Sequence, residues 1–174
     1  QQMQELIGQE NIYMDSPPLF GVDAHACDPG NEPTENGSKQ TREGSRLIID
    51  IAGRLPEEDA VYYDVSWCMN VGEKIDPEYE KWFQIVYDAR EDARQFIQAR
   101  LDAGEKVRGY EVDRRLKERF EQLGCAQYLM HRTGHNIGHR CHGIGANLDD
   151  YETHDDRCLL PGTMFSIEPG LYTE

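Results

Sequence analysis

The sequence predicts an α+β fold, because strand-like runs come first, two amphipathic helices follow, and glycine-punctuated strands and loops complete the chain. The two strand-like runs, 46–51 and 61–67, are rich in aliphatic, β-branched and aromatic residues. The helical segments repeat apolar residues every three or four positions. A chain of 174 residues is long enough for one domain with a hydrophobic core.

The first segments are predicted from their turn residues. Residues 1–8 are predicted to be the end of a helix that Gly8 closes. Residues 17–45 contain four prolines and many polar turn residues, which indicates a loop-rich segment. The first strand follows directly at Arg46, and a polar connection around Pro56 leads to the second strand.

Two helices are predicted next, each with a start or stop signal. Asp76 and Pro77 suit an N-cap and a first helical position, and Gly104 ends the long helix that follows. A second helix is predicted over residues 110–123, with Gly124 as its stop. Their apolar stripes are interpreted as core rather than as a cofactor site: Trp82, Phe83, Val86, Ala89, Ala93, Phe96, Ile97 and Leu101, then Val112, Leu116, Phe120 and Leu123.

Composition excludes several classes of partner. The chain has 18 basic and 33 acidic residues, so its net charge is 18 − 33 = −15, and no basic stripe is present. This argues against nucleic acid or an anionic membrane as partner. No apolar stretch approaches the roughly 18–20 residues that span a bilayer. The five scattered cysteines, without a CxxC pair, predict reduced thiols of a cytoplasmic protein.

Two acids interrupt the strand-like runs. Asp50 follows three aliphatic residues, and Asp64 lies within a β-branched and aromatic run. Because side chains alternate along a strand, Tyr62, Asp64 and Ser66 are predicted to share one face. Burying a carboxylate without a cation or hydrogen bonds is costly, so each acid needs a partner. A single such acid is typical of a turn cap, whereas two acids with a histidine and a glutamate downstream favour a metal site.

Four histidines follow within a glycine-rich segment: His131, His135, His139 and His142. The first two have the spacing of a helical HExxH zinc site, but the glycine between them and the lack of a glutamate disfavour it. Cys141, His142 and Cys158 suggest structural zinc, which the lack of a second Cys pair disfavours. One imidazole ligand among carboxylates fits better, and such sites suit manganese, iron, cobalt or zinc.

Four motifs resemble the M24 metallopeptidases, the family of creatinase, prolidase, aminopeptidase P and methionine aminopeptidase. They are Leu47-Ile-Ile-Asp50, Tyr63-Asp64-Val-Ser-Trp, His131-Arg-Thr-Gly-His135-Asn-Ile-Gly and Phe165-Ser-Ile-Glu168-Pro-Gly-Leu-Tyr. The resemblance extends from about Pro17 to Tyr172. It implies the pita-bread fold, and it implies that residues 1–174 are a partial M24 catalytic domain whose N-terminal helices and C-terminal strand lie outside the chain.

The resemblance also implies roles for individual residues. It assigns two divalent metal ions, manganese foremost and cobalt, zinc or iron as alternatives, to the ligands Asp50, Asp64, His135 and Glu168. A metal-bridging hydroxide would attack the peptide carbonyl. His131 and His142 resemble the histidines that bind the peptide and its developing oxyanion, and Glu168 is suited to handle the proton. The four ligands are expected around one concave site, which requires that Asp50 and Asp64 share a face of their hairpin.

The chain departs from the family pattern in three places. The two aspartates are 64 − 50 = 14 positions apart, slightly wider than the family's usual hairpin. The family's second glutamate ligand has no counterpart, since Glu174 lies only 174 − 168 = 6 positions beyond Glu168 and is expected not to replace it. In the loop 28–33, the family's substrate-binding histidine is replaced by Gly30 or Asn31, and His25 is the nearest imidazole.

Three functions remain open at this point. The leading hypothesis is a dinuclear metallopeptidase of the Xaa-Pro aminopeptidase or prolidase type, acting on peptides, with a homodimer as one option for its assembly. The second is a non-catalytic peptide-binding module on the same fold. The four metal ligands argue against it, and the missing loop histidine keeps it open. The third is a creatinase-like or lyase-like enzyme, because fold alone does not determine function.

Overall fold

The computed structural model describes residues 2–31, 34 and 37–173. Its contacts divide them into two compact units, which we call the strand unit (residues up to 77, with 139–141) and the helical unit (residues 78–138 and 142–173). The helices are α1 (Gln2–Gln9), α2 (Pro77–Asp102) and α3 (Gly109–Gln122), with 3-10 turns at Asp23–Cys27 and Ala126–Tyr128. The strands are β1 (Leu19–Val22), β2 (Arg46–Gly53), β3 (Tyr63–Asn70), β4 (Asn136–Ile137) and β5 (Met164–Phe165).

These elements confirm the α+β prediction and most of its boundaries. α2 begins at Pro77 as predicted, where a proline suits the first turn because its missing N–H has no helical partner. Gly104 and Gly124 follow α2 and α3 with φ of +73° and +69°, a conformation that glycine adopts without strain. The second predicted strand begins two residues later than expected, at Tyr63. β1 was missed, because its four residues lie inside the segment assigned to loops.

The strand unit is built on an antiparallel sheet in the order β1-β2-β3. In its register Asp50 lies opposite Ser66, and Ala52 lies opposite Asp64. Cross-strand partners project on the same side, as do residues two apart in one strand, so these four side chains share one face. The other face carries most of the apolar residues of the sheet, namely Phe20, Val22, Leu47, Ile49, Ile51, Val65, Trp67 and Met69, whereas Leu19 and Ile48 lie on the face of Asp50.

The residue that precedes β3, Tyr62, is buried. Tyr62 is only 1% exposed, and its burial, together with the neighbouring Asp15 carboxylate, raises the pKa of its phenol to about 12. The Tyr62 phenol in turn lowers the pKa of Asp15. The Arg54 guanidinium lies 4.6 Å from the ring centroid of Tyr13, and the backbones of these two residues pair across an antiparallel bridge. The phenol therefore stays protonated at neutral pH and anchors the chain entering the sheet.

The helical unit has its own hydrophobic core, formed by α2, α3 and the segments that follow them. The fully buried members are Ala89, Ala93, Ile97, Val107, Val112, Leu116, Phe120, Cys125, Leu148 and Leu159. Most of the predicted stripe residues thus belong to the core or pack against it. Phe83, Leu101 and Leu123 do not, since they are between 44% and 51% exposed. None of the helices among the described residues is long and apolar enough to cross a membrane.

The helical unit also contains a buried carboxylate, that of Asp155, which hydrogen bonds hold in place. Asp155 accepts hydrogen bonds from the Arg157 Nε at 2.8 Å and from the backbone N–H of Asn147 at 2.8 Å. These bonds, the one from Arg157 foremost, lower the pKa of Asp155 from 3.8 to about 2. A group whose pKa is depressed by folding stabilises the folded state above its unfolded pKa and loses that effect as the pH falls through its folded pKa.

We therefore expect Asp155→Asn to lower the free energy of unfolding at neutral pH by about 2 kcal/mol, since one pKa unit corresponds to about 1.4 kcal/mol. The difference from the wild-type protein should shrink as the pH falls from about 5 to about 2. Urea unfolding at several pH values measures it, with Asp156→Asn, an exposed neighbour, as the control. A deficit that stays constant across this pH range would contradict the prediction.

Candidate metal centre

In the strand unit, Asp50 and Asp64 lie on one face of the β2–β3 hairpin, as the register requires. This confirms the expectation that the two acids share a face. The Ser66 hydroxyl donates a hydrogen bond to Asp50 Oδ1 at 2.9 Å, and the Cys141 thiol donates to Asp64 Oδ2 at 3.4 Å. Each carboxylate thus has a neighbour that orients it on the sheet.

In the helical unit, His135 and Glu168 are side by side. The Nε2 of His135 lies 3.1 Å from Glu168 Oε1, and the imidazole is only 4% exposed. Its Nδ1 lies 3.1 Å from the carbonyl oxygen of Asn136. A carbonyl can only accept a hydrogen bond, so Nδ1 carries a proton and Nε2 is the ring nitrogen left to bind a cation, which it does through its lone pair when the ring is neutral. Two electron-pair donors at this separation are the arrangement expected of neighbouring ligands of one cation.

Backbone pairing between two distant segments sets this arrangement. The Ser166 N–H donates to the His135 carbonyl at 2.9 Å, and the Glu168 N–H donates to the Thr133 carbonyl at 2.8 Å. Gly134 bridges to Leu148 on the other side. A Cβ at Gly134 would lie 2.2 Å from the Ser166 carbonyl oxygen, so only glycine permits this close approach.

A buried acid on α3 supports the same segment, and sequence reasoning missed it. Asp113 is 8% exposed, and its Oδ1 accepts from the Thr133 N–H at 2.8 Å and from the Thr133 hydroxyl at 2.6 Å. Its Oδ2 accepts from the Asp150 N–H at 2.7 Å. Burial raises the pKa of Asp113 above 3.8, against the opposing effect of these hydrogen bonds. The signal was present, because Asp113 lies three positions before Leu116 and therefore within the apolar stripe of the helix.

The two histidines predicted to contact substrate occupy different surroundings. The ring centroids of His142 and His135 are 4.3 Å apart, with the rings nearly perpendicular, so His142 borders the His135–Glu168 pair. His131 Nδ1 lies 2.7 Å from the Arg132 carbonyl oxygen, and its Nε2 lies 2.7 Å from the Tyr172 hydroxyl. Since Nδ1 must be the donor, Nε2 of the neutral ring accepts from Tyr172. This tyrosine partner was not predicted from the sequence.

Of the remaining imidazoles, His154 lies in the helical unit beside Tyr110, and His139 and His25 lie in the strand unit. His139 Nδ1 is 3.3 Å from the Ala60 carbonyl oxygen. His25 lines a small cavity with Phe20 and Val22, which belong to the apolar face of the sheet and not to the face of Asp50 and Asp64. This position does not favour His25 as a replacement for the family's loop histidine.

The loop that departs from the family pattern is only partly described. The Asn31 side chain donates to the Phe20 carbonyl at 3.4 Å, and the Gly30 N–H donates to the Asp28 carboxylate at 2.9 Å. Neither position offers an imidazole. Glu32 and Pro33 of the same loop, and Glu174 at the end of the chain, lie outside the described residues.

Comparison with known proteins identifies the family. The model of metallopeptidase family M24 matches residues 1–174. The probable dipeptidase PepE of Mycobacterium tuberculosis is 28% identical over 155 residues, which cover 88% of this chain and 37% of the relative. The Xaa-Pro dipeptidase of Lactobacillus helveticus is 28% identical over 152 residues, or 85% of this chain and 36% of the relative.

Solved structures agree with the fold. A dipeptidase from Pyrococcus horikoshii superimposes with a TM-score of 0.78 at 26% identity, covering 99% of this chain and 44% of that structure. Such neighbours have the pita-bread fold, which confirms the predicted architecture. The chain spans between about a third and a half of the length of these relatives. On the match of the family model over its whole length, this chain belongs to metallopeptidase family M24.

Proposed function

We propose that the protein carrying this chain is a metal-dependent exopeptidase that hydrolyses the bond between an N-terminal residue and a following proline. The observation that carries the proposal is the pair formed by His135 Nε2 and Glu168 Oε1, two electron-pair donors 3.1 Å apart. The names of the relatives, dipeptidase and Xaa-Pro dipeptidase, support the substrate class. They favour a dipeptidase over an aminopeptidase acting on longer peptides.

The donor set fits divalent metal. Asp50, Asp64 and Glu168 offer carboxylate oxygens, and His135 offers a nitrogen whose lone pair is exposed by the tautomer that Asn136 selects. Oxygen-rich sites with one imidazole suit manganese, iron, cobalt or zinc, and we propose two such ions with manganese foremost. When bound, the metal supplies a Lewis acid and an activated water nucleophile.

The protein's own side chains would do the rest of the chemistry. Glu168, next to the imidazole ligand, is placed to take the proton of the attacking water. His142 packs against His135 and is placed to donate a hydrogen bond to the oxygen that becomes negative in the transition state. For His131 to contact a peptide through Nε2, its hydrogen bond with the Tyr172 hydroxyl must be exchanged for one with the substrate.

The test uses the full-length protein, stripped of metal and reloaded with Mn²⁺, Co²⁺ or Zn²⁺. We expect release of the N-terminal residue from Ala-Pro, slower cleavage of Ala-Ala, and loss of both activities with a chelator. Restoration by one metal and not the others would identify that ion. Comparison of Ala-Pro with Ala-Pro-Ala separates a dipeptidase from an aminopeptidase.

One observation favours a second candidate, a peptide-binding module without catalysis. The loop around Gly30 and Asn31 presents no imidazole among the described residues, so one substrate contact of the family has no counterpart there. Metal-loaded protein that binds Xaa-Pro peptides in calorimetry and leaves them intact would support this candidate and contradict the peptidase.

A further inference from the structure

We propose that Ser166 is a positioning residue of the metal centre, which uses one hydroxyl group to set the His135 backbone and the Glu168 carboxylate relative to each other. This inference rests on the proposed function, since it concerns the same two ligands. Ser166 is 9% exposed and lies two residues before Glu168, but 31 residues after His135 in sequence. It contributes no ligand itself.

The hydrogen bonds of Ser166 define its role. The His135 N–H donates to Ser166 Oγ at 2.9 Å, and Ser166 Oγ lies 2.8 Å from Glu168 Oε1. A backbone N–H can only donate and a carboxylate can only accept, so the hydroxyl proton points to Glu168. The His135 carbonyl oxygen, at 3.4 Å, is the weaker alternative for that proton. The hydroxyl therefore relays one continuous chain of hydrogen bonds from His135 to Glu168.

This chain determines which carboxylate oxygen faces the imidazole. Oε1 receives the Ser166 proton and is also the oxygen that lies 3.1 Å from His135 Nε2. A donor on one side of Oε1 restricts rotation of the carboxylate about its last torsion, which is otherwise broad. Hydrogen bonds to a metal-binding carboxylate orient it before the ion arrives, and their removal typically lowers metal affinity by about 10- to 100-fold.

The backbone shows that the site is built around Ser166. Its carbonyl oxygen occupies the place where a side chain at Gly134 would begin. Its N–H binds the His135 carbonyl, so main chain and side chain of one serine hold both polar backbone groups of the histidine. An alanine at position 166 keeps the bond from its own N–H to the His135 carbonyl and removes both hydroxyl bonds, the one from the His135 N–H and the one to Glu168.

The experiment compares Co²⁺ binding to the full-length wild-type protein, Ser166→Ala and Ser166→Thr, by calorimetry and by visible absorption of the bound ion. We expect Ser166→Ala to lose about 10-fold or more in affinity with an altered spectrum, and Ser166→Thr, which keeps the hydroxyl, to stay within about threefold of wild type. The control is Ser45→Ala. Ser45 is also buried, and it also accepts a backbone N–H and donates to a carboxylate, but it lies just before β2.

A double-mutant cycle with Glu168→Gln separates positioning from general stability. If Ser166 acts through the carboxylate, Ser166→Ala should cost much less affinity in the Glu168→Gln background than in the wild type. Equal losses in both backgrounds, equal losses in Ser166→Ala and Ser45→Ala, or folded Ser166→Thr with weakened binding would each overturn the inference. Wild-type protein that binds no Co²⁺ would instead contradict the proposed function.

Discussion

His135→Ala is expected to remove metal and peptidase activity together. The imidazole is the one nitrogen donor of the proposed ligand set, and its Nε2 lies 3.1 Å from Glu168 Oε1. Alanine leaves a cavity without a donor there, and the carboxylate loses the neighbour that helps to fix an ion beside it. Because metal supplies several kcal/mol of transition-state stabilisation, turnover should fall on the order of 10³-fold or more.

The measurement is metal content after dialysis, followed by turnover of Ala-Pro. His154→Ala serves as the matched control, because His154 belongs to the same unit but stacks on Tyr110 and binds the Asp150 carboxylate at 2.6 Å. It should bind metal and turn over substrate as the wild type does. A His135→Ala protein that retains two equivalents of tightly bound metal would show that this histidine is not a ligand.

His142→Ala sharpens the same experiment. His142 packs against the His135 ring and is proposed to act on the substrate, so its removal should spare metal content and lower kcat. Loss of metal in both variants would place His142 among the ligands. If neither variant loses metal and both turn over substrate normally, neither His135 nor His142 takes part in the reaction.

The sequence predicted the parts of the fold that depend on local chemistry. α2 begins at Pro77 because the proline ring suits the first turn of a helix. It ends before Gly104 because glycine adopts a positive φ without strain. The shared face of Asp50 and Asp64 also followed from local rules, since alternation within each strand decides it once the two strands pair. Recognition of the family supplied the partnership of His135 with Glu168.

Contacts between distant segments could not be predicted in this way. Ser166 meets His135 across 31 positions, and His131 meets Tyr172 across 41. The identity of a serine or a tyrosine does not predict its hydrogen-bond partner, because the partner depends on how distant segments pair in the folded protein. β1 was missed for a related reason: its four residues pair with β2, and isolated short strands carry little periodicity.

Asp113 combines a feature that the local sequence predicts with contacts to distant segments that it does not predict. Its place in the stripe of α3 is a local signal of a buried acid, while its partners, Thr133 and Asp150, are 20 and 37 positions away. Its two oxygens accept three hydrogen bonds and tie α3 to the segment that carries His135 and to the turn at Asp150. The pattern predicts that something must satisfy the carboxylate, but only the structure identifies what does.

Asp113→Ala is therefore expected to lower the free energy of unfolding by about 3 kcal/mol. Alanine leaves three buried donors without an acceptor: the N–H and hydroxyl of Thr133 and the N–H of Asp150. Each unsatisfied group costs about 1–3 kcal/mol. The sum is reduced because burial, which raises the pKa of Asp113, already opposes the charged form in the wild type. Urea unfolding monitored by circular dichroism measures the loss.

Asp92→Ala is the matched control, since Asp92 on α2 also forms two hydrogen bonds, both at 2.8 Å, to the Arg115 guanidinium. That pair is partly exposed, so its removal should cost less than about 1 kcal/mol. Asp113→Asn should also be strongly destabilising, because an amide turns one acceptor into a donor that faces an N–H or hydroxyl donor. Equal stability of Asp113→Ala and Asp92→Ala would mean that water or a shifted backbone satisfies the Thr133 and Asp150 donors, and that Asp113 does not hold the His135 segment in place.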